Sequence, residues 1–194
     1  MIRPTVLLLP GWQSSGPGHW QSLWEAQHGY LRVDQHDWMR PLRGDWIARL
    51  EEVVLEHTPA AGAGAESGIV LVAHSLGCLL VAAWAEHSRN HSRVCGALLV
   101  APGDPERAEL RAVLHSWTPV VLQRLPFRNI LVASHNDPYC SLARAGEFAA
   151  GWGSELLDCG ASGHINADSG LGQWPQGHAM LQDLCLSPPS TSTT

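Results

Sequence analysis

Ser75 has the residue type and the neighbours of a catalytic nucleophile. It stands within Ala73-His74-Ser75-Leu76-Gly77, between the apolar run Ile69–Ala73 and a stretch of helical periodicity. A serine at such a strand-to-helix turn, a nucleophile elbow, presents its hydroxyl above the end of the strand, and small residues beside it let the helix pack closely. The pattern therefore predicts a nucleophilic serine; a serine that only caps the following helix is the alternative.

A nucleophilic serine requires a base, and the base requires a carboxylate to orient it. Asp137 follows the apolar run Ile130–Ala133, and His164 follows the short run Glu155–Leu157. Both residues thus come after predicted strands, where parallel sheets collect their catalytic groups. The order Ser75, Asp137, His164 is that of the triad in α/β-hydrolases, so we expect His164 to be the base and Asp137 to orient it.

Other residues compete for the roles of base and acid. His135 is a second candidate base, although its place two residues from Asp137 would point it away from a shared site. Asp158 and Asp104 are alternative acids, and Asp137 could simply form a turn. Three suitable residues that occur in the required order at three strand ends favour the first assignment.

The turn Pro10-Gly11-Trp12, directly after the predicted strand Thr5–Leu9, supplies a second part of the site. A glycine there lets the backbone approach an oxyanion, which the N–H groups of Trp12 and Leu76 would stabilise; an ordinary tight turn is the alternative. The residues expected to line the substrate pocket are Gly11, His19, Trp20 and His74. The pair His19-Trp20 would alternatively cap a helix.

Short apolar runs alternate with longer amphipathic stretches along the whole chain. The predicted strands are Thr5–Leu9, Leu31–His36, Ile69–Ala73, Val94–Ala101, Ile130–Ala133 and Glu155–Leu157. The predicted helices are Asp45–His57 with Asp45 as N-cap, Leu76–His87, Glu106–Leu114, Leu142–Trp152 and Gln176–Cys185. Strands separated by helices of this length indicate βαβ units and a mostly parallel sheet. We therefore expect one α/β domain over residues 1–186, with a surface loop at Pro59–Gly68 and a frayed tail at 187–194.

The composition excludes several classes of protein. The chain has 12 Lys and Arg against 18 Asp and Glu, a formal charge of −6, which argues against a nucleic-acid partner because phosphate binding needs a basic face. A hydrophobic content of 45% with 15% charged residues excludes a disordered chain. No apolar run approaches the roughly 20 residues of a membrane span, and Val6–Leu9 is too short for the core of a signal peptide.

The cysteines and histidines give no sign of a disulfide framework or a metal site. The five cysteines are odd in number, widely spaced and without a C-x-x-C pair. We expect them to be reduced thiols in a cytoplasmic protein. The eleven histidines include no H-E-x-x-H pattern, so neither a metal nor another cofactor is expected.

Five segments together resemble the retinoblastoma-binding protein 9/YdeN family of small serine hydrolases. They are Pro10-Gly11-Trp12, His19-Trp20, Ala73-His74-Ser75-Leu76-Gly77, Asn136-Asp137-Pro138 and Ser162-Gly163-His164-Ile165-Asn166. The resemblance covers essentially the whole chain, with Ala73 in place of the first glycine of the usual G-x-S-x-G motif. It implies a compact, three-layer α/β-hydrolase fold with about six mostly parallel strands and little lid. It also implies that Ser75 is the nucleophile, Asp137 the orienting acid and His164 the base.

The expected activity is that of a serine hydrolase that cleaves an ester, thioester or amide through an acyl-enzyme. An apolar, aromatic-walled pocket near Trp12 would suit small hydrophobic acyl groups. The alternative is a catalytically silent protein of the same fold that binds a protein partner, a possibility that the family name records. Suitable residue types at all three triad positions favour the enzyme.

Overall fold

The structure, a computed structural model, describes residues 4–57 and 68–186. The tail at 187–194 and most of the expected loop, residues 59–67, lie outside the described residues. The strands are β1 Thr5–Leu9, β2 Leu31–Arg32, β3 Ile69–His74, β4 Val94–Val100, β5 Arg128–Ala133 and β6 Glu155–Asp158. The α-helices are α1 Trp20–His28, α2 Arg43–Glu56, α3 Leu76–His87, α4 Leu142–Trp152 and α5 Pro175–Leu186. In these described ranges no helix is long and apolar enough to cross a membrane.

The six strands form one parallel sheet in the order β2-β1-β3-β4-β5-β6. All six residues of the central strand β3 are buried, as expected of a strand with helices on both faces. The order places the ends of β1, β3, β4 and β5 side by side at one edge of the sheet. The predicted α/β-hydrolase architecture with a parallel sheet is confirmed.

Alternate residues of each strand enter two separate hydrophobic cores, because successive side chains of a strand point to opposite faces. Leu7 and Leu9 of β1 pack on one face with residues of α2, α3 and α4. Val6 and Leu8 pack on the other face with residues of α1 and α5. The result is three layers, with the sheet between two groups of helices.

Two expected elements at the amino-terminal side differ from the structure. The strand at Leu31–His36 shortens to Leu31–Arg32 at the edge of the sheet. Helix α2 begins at Arg43 after Leu42, so Asp45 lies in its first turn and is not its N-cap; a carboxylate there still interacts favourably with the helix dipole.

Helix α1 has no counterpart among the helices predicted from apolar periodicity. Its buried residues are Trp20, Gln21 and Trp24, so the usual aliphatic stripe is missing. His19 caps the helix, since its Nδ1 accepts a hydrogen bond from the Gln21 N–H at 3.1 Å. The expectation that His19 caps a helix is therefore met, a role that does not exclude a place in the pocket.

The predicted helix Glu106–Leu114 is wrong. The segment is a series of turns whose backbone hydrogen bonds mix i+3 and i+4 spacings. Its first residues are tied to other parts of the protein: Arg107 donates to the Pro138 carbonyl, and Glu106 pairs with Arg144. These tertiary contacts outweigh local helix propensity.

Gly77 in α3 allows the helix to lie directly against β1. A Cβ at this position would lie 2.2 Å from the Leu9 carbonyl oxygen, so the Gly77→Ala variant forces the backbone apart. We expect a loss of about 3 kcal/mol in the free energy of unfolding, measured by urea denaturation. Gly146→Ala in α4 is the matched control, because its Cβ would meet nothing within 4 Å; it should gain about 0.5–1 kcal/mol. A stability gain for both variants would contradict the close helix–strand contact.

Candidate active site

Ser75 lies in a tight turn between β3 and α3. Its backbone has φ 54° and ψ −119°, a conformation that a residue with a side chain adopts rarely and that functional sites retain. The Ser75 N–H donates to the Val100 carbonyl at 3.0 Å. Gly11 must be a glycine, since a Cβ there would lie 2.7 Å from the Ser75 Cβ. The close approach of two turns thus holds the serine above the sheet.

The structure brings Ser75, His164 and Asp137 into one hydrogen-bonded line. The Ser75 hydroxyl donates to His164 Nε2 at 2.9 Å. His164 Nδ1–H donates to Asp137, with distances of 2.8 Å to Oδ2 and 3.0 Å to Oδ1. The side chains of His164 and Asp137 are 8% and 2% exposed, so water competes little for these bonds. This is the geometry in which an imidazole can remove the serine proton.

Asn136 and Ser134 fasten the loop that carries Asp137 to the loop that carries His164. The Asn136 Oδ1 accepts from the Gly163 N–H at 2.7 Å. The Ser134 hydroxyl lies 2.9 Å from the Gly160 carbonyl oxygen and accepts from the Ser162 N–H at 3.0 Å. These positioning residues were not singled out from the sequence, although the polar run 134–137 directly after an apolar strand was the available signal.

Buried side chains hold the His164 loop from beneath. His74 Nε2–H donates to the His164 carbonyl at 2.9 Å, and Trp20 Nε1–H donates to the Ile165 carbonyl at 2.8 Å. On the outer side, the Tyr139 ring meets the His164 ring at 4.6 Å between centroids, tilted by 67°. These contacts hold the backbone of the His164 loop in place and restrict the orientation of the imidazole ring.

Two further histidines beside His164 are held neutral. Burial lowers the pKa of His74 well below its usual value, and the neighbouring His164 and His19 lower it further. Burial also lowers the pKa of His19 to about 4, with smaller contributions from His164 and Arg32. Because His19 Nδ1 accepts from the Gln21 N–H, its proton is on Nε2, which has no hydrogen-bond partner within the described residues.

The depressed pKa of His19 predicts that acid destabilises the protein. The unfolded chain binds a proton on this residue near pH 6.5, whereas the folded chain does so near pH 4. Between these values the unfolded state binds more protons, so the free energy of unfolding falls as the pH falls, by about 3 kcal/mol in total for this residue. The contribution is fully present above pH 6.5.

The His19→Asn variant isolates this effect, because asparagine also accepts the N-cap hydrogen bond of α1. Urea unfolding between pH 7 and pH 4 should show a shallower pH dependence in His19→Asn than in the original protein. His36→Asn, at an exposed histidine, is the control and should keep the original slope. An unchanged slope in His19→Asn would show that His19 is not held neutral.

The two predicted oxyanion donors, the backbone N–H groups of Trp12 and Leu76, belong to the two turns that meet at Ser75. Leu76 opens α3, and Trp12 follows Gly11, which is packed against Ser75. Within residues 4–57 and 68–186, neither the Trp12 nor the Leu76 backbone N–H has an acceptor. Two unpaired N–H groups beside a nucleophile are suited to bind a developing oxyanion.

A cavity of about 420 Å³ opens above Ser75. It is lined by Gly11, Trp12, Gln13, Ser14, Gly16, His19, His74, Ser75, Leu76, Gly103, Leu110, Leu114, Tyr139, His164, Asn166 and Ala167. Three of the predicted pocket residues, Gly11, His19 and His74, are therefore in its wall. The apolar wall formed by Leu110 and Leu114 was not predicted, because their segment was expected to be a helix without a role in the site.

Trp20 does not belong to the described lining of the cavity, and its assignment to the pocket is corrected. Its side chain is buried in the core formed with α5, where it packs edge-on against Trp24 and Trp174. The residue supports the site indirectly through its hydrogen bond to the Ile165 carbonyl. An indole N–H that finds a buried carbonyl acceptor is the usual arrangement for a core tryptophan.

The alternative base, His135, and the alternative acids, Asp158 and Asp104, interact with residues outside the Ser75–His164–Asp137 line. His135 Nδ1 is 3.9 Å from Asp158 Oδ2, and Asp158 also accepts from the Gly160 N–H. Asp104 lies 3.6 Å from the guanidinium of Arg144. None of the three has a hydrogen bond to Ser75 or His164 among the described residues.

The cysteines and the remaining histidines form no metal site in the part of the chain that the structure describes. All five cysteines are free thiols. Burial raises the pKa of Cys78 beneath the nucleophile turn and raises that of Cys140 to about 12, so neither is a reactive thiolate. His87 and His91 have the four-residue spacing at which two histidines of one helix can bind a metal. Helix α3 ends at His87, however, so the two side chains do not share a helical face.

Comparison with known structures gives relatives of the same fold. A YdeN-like hydrolase from Pectobacterium atrosepticum is 30% identical over 94% of this chain and 91% of its own, with a TM-score of 0.77. The ydeN gene product of Bacillus subtilis is 19% identical over 93% of this chain and 98% of its own, with a TM-score of 0.72. Est1E from Butyrivibrio proteoclasticus, solved with ferulic acid bound, is 14% identical over 92% of this chain and 88% of its own, with a TM-score of 0.66.

A family comparison completes the assignment. No sequence among the curated proteins matches this chain significantly. The family model described as "Serine hydrolase" matches residues 6–183, which is nearly the whole chain. Together with the YdeN-like relative, this match shows that the chain belongs to the serine hydrolase family, in the α/β-hydrolase superfamily.

Proposed function

We propose that this hydrolase cleaves an ester, thioester or amide bond by means of Ser75, His164 and Asp137. The observation that carries the proposal is the continuous chain of hydrogen bonds from the Ser75 hydroxyl through the imidazole to a buried carboxylate. A serine hydroxyl is a weak nucleophile unless a base within hydrogen-bond reach removes its proton. Here the base is at 2.9 Å and is itself oriented.

The acylation step begins when Ser75 Oγ attacks the carbonyl carbon of the substrate and transfers its proton to His164 Nε2. Asp137 holds the proton of Nδ1 and stabilises the imidazolium that forms. The oxyanion of the tetrahedral intermediate accepts hydrogen bonds from the Trp12 and Leu76 N–H groups, with the amino terminus of α3 adding a favourable dipole. The intermediate then breaks its bond to the leaving group, which takes the proton from Nε2.

Deacylation repeats these steps with water. His164 removes a proton from a water molecule as its oxygen attacks the acyl carbon, and the second tetrahedral intermediate uses the same N–H groups. Collapse of that intermediate returns the proton to Ser75 Oγ and releases the carboxylic acid. The nucleophile, the base and both N–H donors assigned here belong to residues that line the cavity, and Asp137 is bonded to the base.

The cavity favours a small hydrophobic acyl group as substrate. Its volume of about 420 Å³ is near the lower end for small-molecule sites. Trp12, Leu110 and Leu114 provide an apolar wall. The fold is shared with proteins named as esterases, among them the carboxylesterase CesB of Bacillus subtilis, 14% identical with a TM-score of 0.61. These observations support carboxylic esters as the first substrates to test.

A series of p-nitrophenyl esters from acetyl to decanoyl tests the reaction and its acyl preference together. We expect turnover of the short esters, a decline in kcat/KM for the longest chains, and a burst of p-nitrophenol in the first turnover if deacylation limits the rate. Addition of hydroxylamine should then divert the acyl group to a hydroxamate. The absence of turnover across the whole series would count against the proposed esterase chemistry.

A further inference from the structure

The loop that carries the Trp12 N–H has an unusual backbone. Gln13 has φ 68° and Ser14 has φ 65°, two consecutive residues in the left-handed region that glycine favours. Residues with side chains persist in this region only where their surroundings hold them there. The 13–15 loop therefore needs anchors outside itself.

Arg32 provides these anchors. Its Nη1 donates to the Ser14 hydroxyl at 3.1 Å and to the Ser15 carbonyl at 3.0 Å. Its Nη2 donates to the Ser22 hydroxyl at 2.7 Å and to Glu25 Oε2 at 2.6 Å, and Nε donates to the same carboxylate oxygen at 2.9 Å. The side chain is 11% exposed. One planar guanidinium thus joins the 13–15 loop to helix α1, a fork geometry that only arginine offers.

A second set of bonds ties the same loop to the sheet. The Ser15 hydroxyl donates to Gln21 Oε1 at 2.7 Å. Gln21 Nε2 donates to the carbonyls of Leu9 and Val72 at 3.3 and 3.1 Å. Leu9 ends β1, and Val72 lies in β3 just before the nucleophile turn. Gln21 therefore connects the 13–15 loop to both β1 and β3, the strands that end beside the reacting atoms.

The position of the Trp12 N–H depends on this loop. An oxyanion donor must lie within about 2.7–3.1 Å of the place where the negative charge develops. Trp12 stands between β1 and the strained residues Gln13 and Ser14, outside any helix or strand. A relaxed loop would let these two residues return to the ordinary backbone region and turn the N–H of Trp12 away.

We propose that Arg32 is a positioning residue for the oxyanion hole, acting through Ser14 and Ser15 on the Trp12 N–H. Arg32 is not among the described residues that line the cavity, so the role proposed for it is to hold the loop and not to bind the substrate. Its loss affects the transition state more than the bound substrate, because an oxyanion exists only during the reaction. The inference rests on the proposed function.

Three variants test the proposal. Arg32→Gln removes the guanidinium bonds, and Arg32→Lys keeps the charge beside Glu25 without the fork. Ser22→Ala removes one partner of Nη2 together with the bond that the Ser22 hydroxyl donates to the Ser15 carbonyl at 2.9 Å. Arg128→Gln is the matched control, since Arg128 pairs with Asp183 at 2.7 Å outside the described lining of the cavity.

The readouts are kcat and KM for a p-nitrophenyl ester and the Ki of butylboronic acid, which forms a tetrahedral adduct with the serine. For Arg32→Gln we expect kcat to fall about 10- to 100-fold while KM changes less than about twofold, with Ki rising in parallel with the loss of kcat/KM. Arg32→Lys should recover thermal stability but not kcat. Ser22→Ala should lie between Arg32→Gln and the original protein, and Arg128→Gln should keep full activity.

The outcomes separate the two proposals. An active original protein whose folded Arg32→Lys and Ser22→Ala variants keep kcat and Ki would overturn the positioning role and leave the proposed function intact. A kcat loss restored by lysine would show that charge or stability, and not the fork, is responsible, and would also overturn it. An original protein that neither hydrolyses esters nor reacts with a fluorophosphonate at Ser75 would reject both proposals.

Discussion

Ser75→Ala should lower kcat for an ester by about four to six orders of magnitude and leave the fold intact. The hydroxyl is the attacking group, and no other described side chain is bonded to His164 Nε2. The substitution removes one oxygen from the wall of an existing cavity, so it creates no new buried void. The measurement is kcat for p-nitrophenyl acetate, with circular dichroism and urea unfolding to verify the fold.

Ser141→Ala is the control that separates catalysis from helix capping. Both serines precede a helix, but the Ser141 hydroxyl accepts from the Arg144 N–H, whereas that of Ser75 makes no cap hydrogen bond within the described residues. Ser141→Ala should therefore lose about 1 kcal/mol of stability and no activity. Ser75→Ala should show the opposite pattern. Full activity in Ser75→Ala would exclude the serine as nucleophile.

Asp137→Asn should lower kcat by about four orders of magnitude with little change in KM. Both carboxylate oxygens lie within 3.0 Å of His164 Nδ1, and an amide in this place can present its own N–H group to the ring. The imidazole then carries its proton on Nε2 and cannot accept the proton of Ser75. The loss should appear in the acylation rate measured by stopped flow.

Asp158→Asn is the matched control for the acid. Asp158 is a half-exposed carboxylate that accepts from the Gly160 N–H, a bond that an asparagine side chain can also accept. We expect the Asp158→Asn variant to keep kcat within about twofold. An inactive Asp158→Asn together with an active Asp137→Asn would reverse the assignment of the acid.

The elements that were predictable from sequence have strong local signals. Thr5–Leu9, Leu76–His87 and Leu142–Trp152 match the observed bounds of β1, α3 and α4. The first is an apolar run that ends at Pro10-Gly11, and the two helices have apolar residues at helical spacing. The candidate triad followed from the chain order, because Ser75, Asp137 and His164 each come after a predicted strand.

The part of the cavity wall formed by Leu110, Leu114 and Tyr139 was not predictable, because tertiary contacts set it. Leu110 and Leu114 line the cavity from a segment whose sequence has a helical pattern. The segment forms a series of turns instead, and Arg107 at its start is bonded to the Pro138 carbonyl. The wall role of Tyr139 depends on how its loop folds over His164. Likewise, the contacts of Arg32 join residues 17 and 18 positions apart, which no local pattern indicates.

The most direct test of the proposed mechanism is labelling with a fluorophosphonate probe, followed by intact mass spectrometry and peptide mapping. Such probes react with serines that a base has activated. We expect one adduct per chain, on the peptide that contains Ser75, and none in Ser75→Ala. An adduct on another residue that persists in Ser75→Ala, or a folded protein that does not react, would contradict the assignment of Ser75 as the nucleophile.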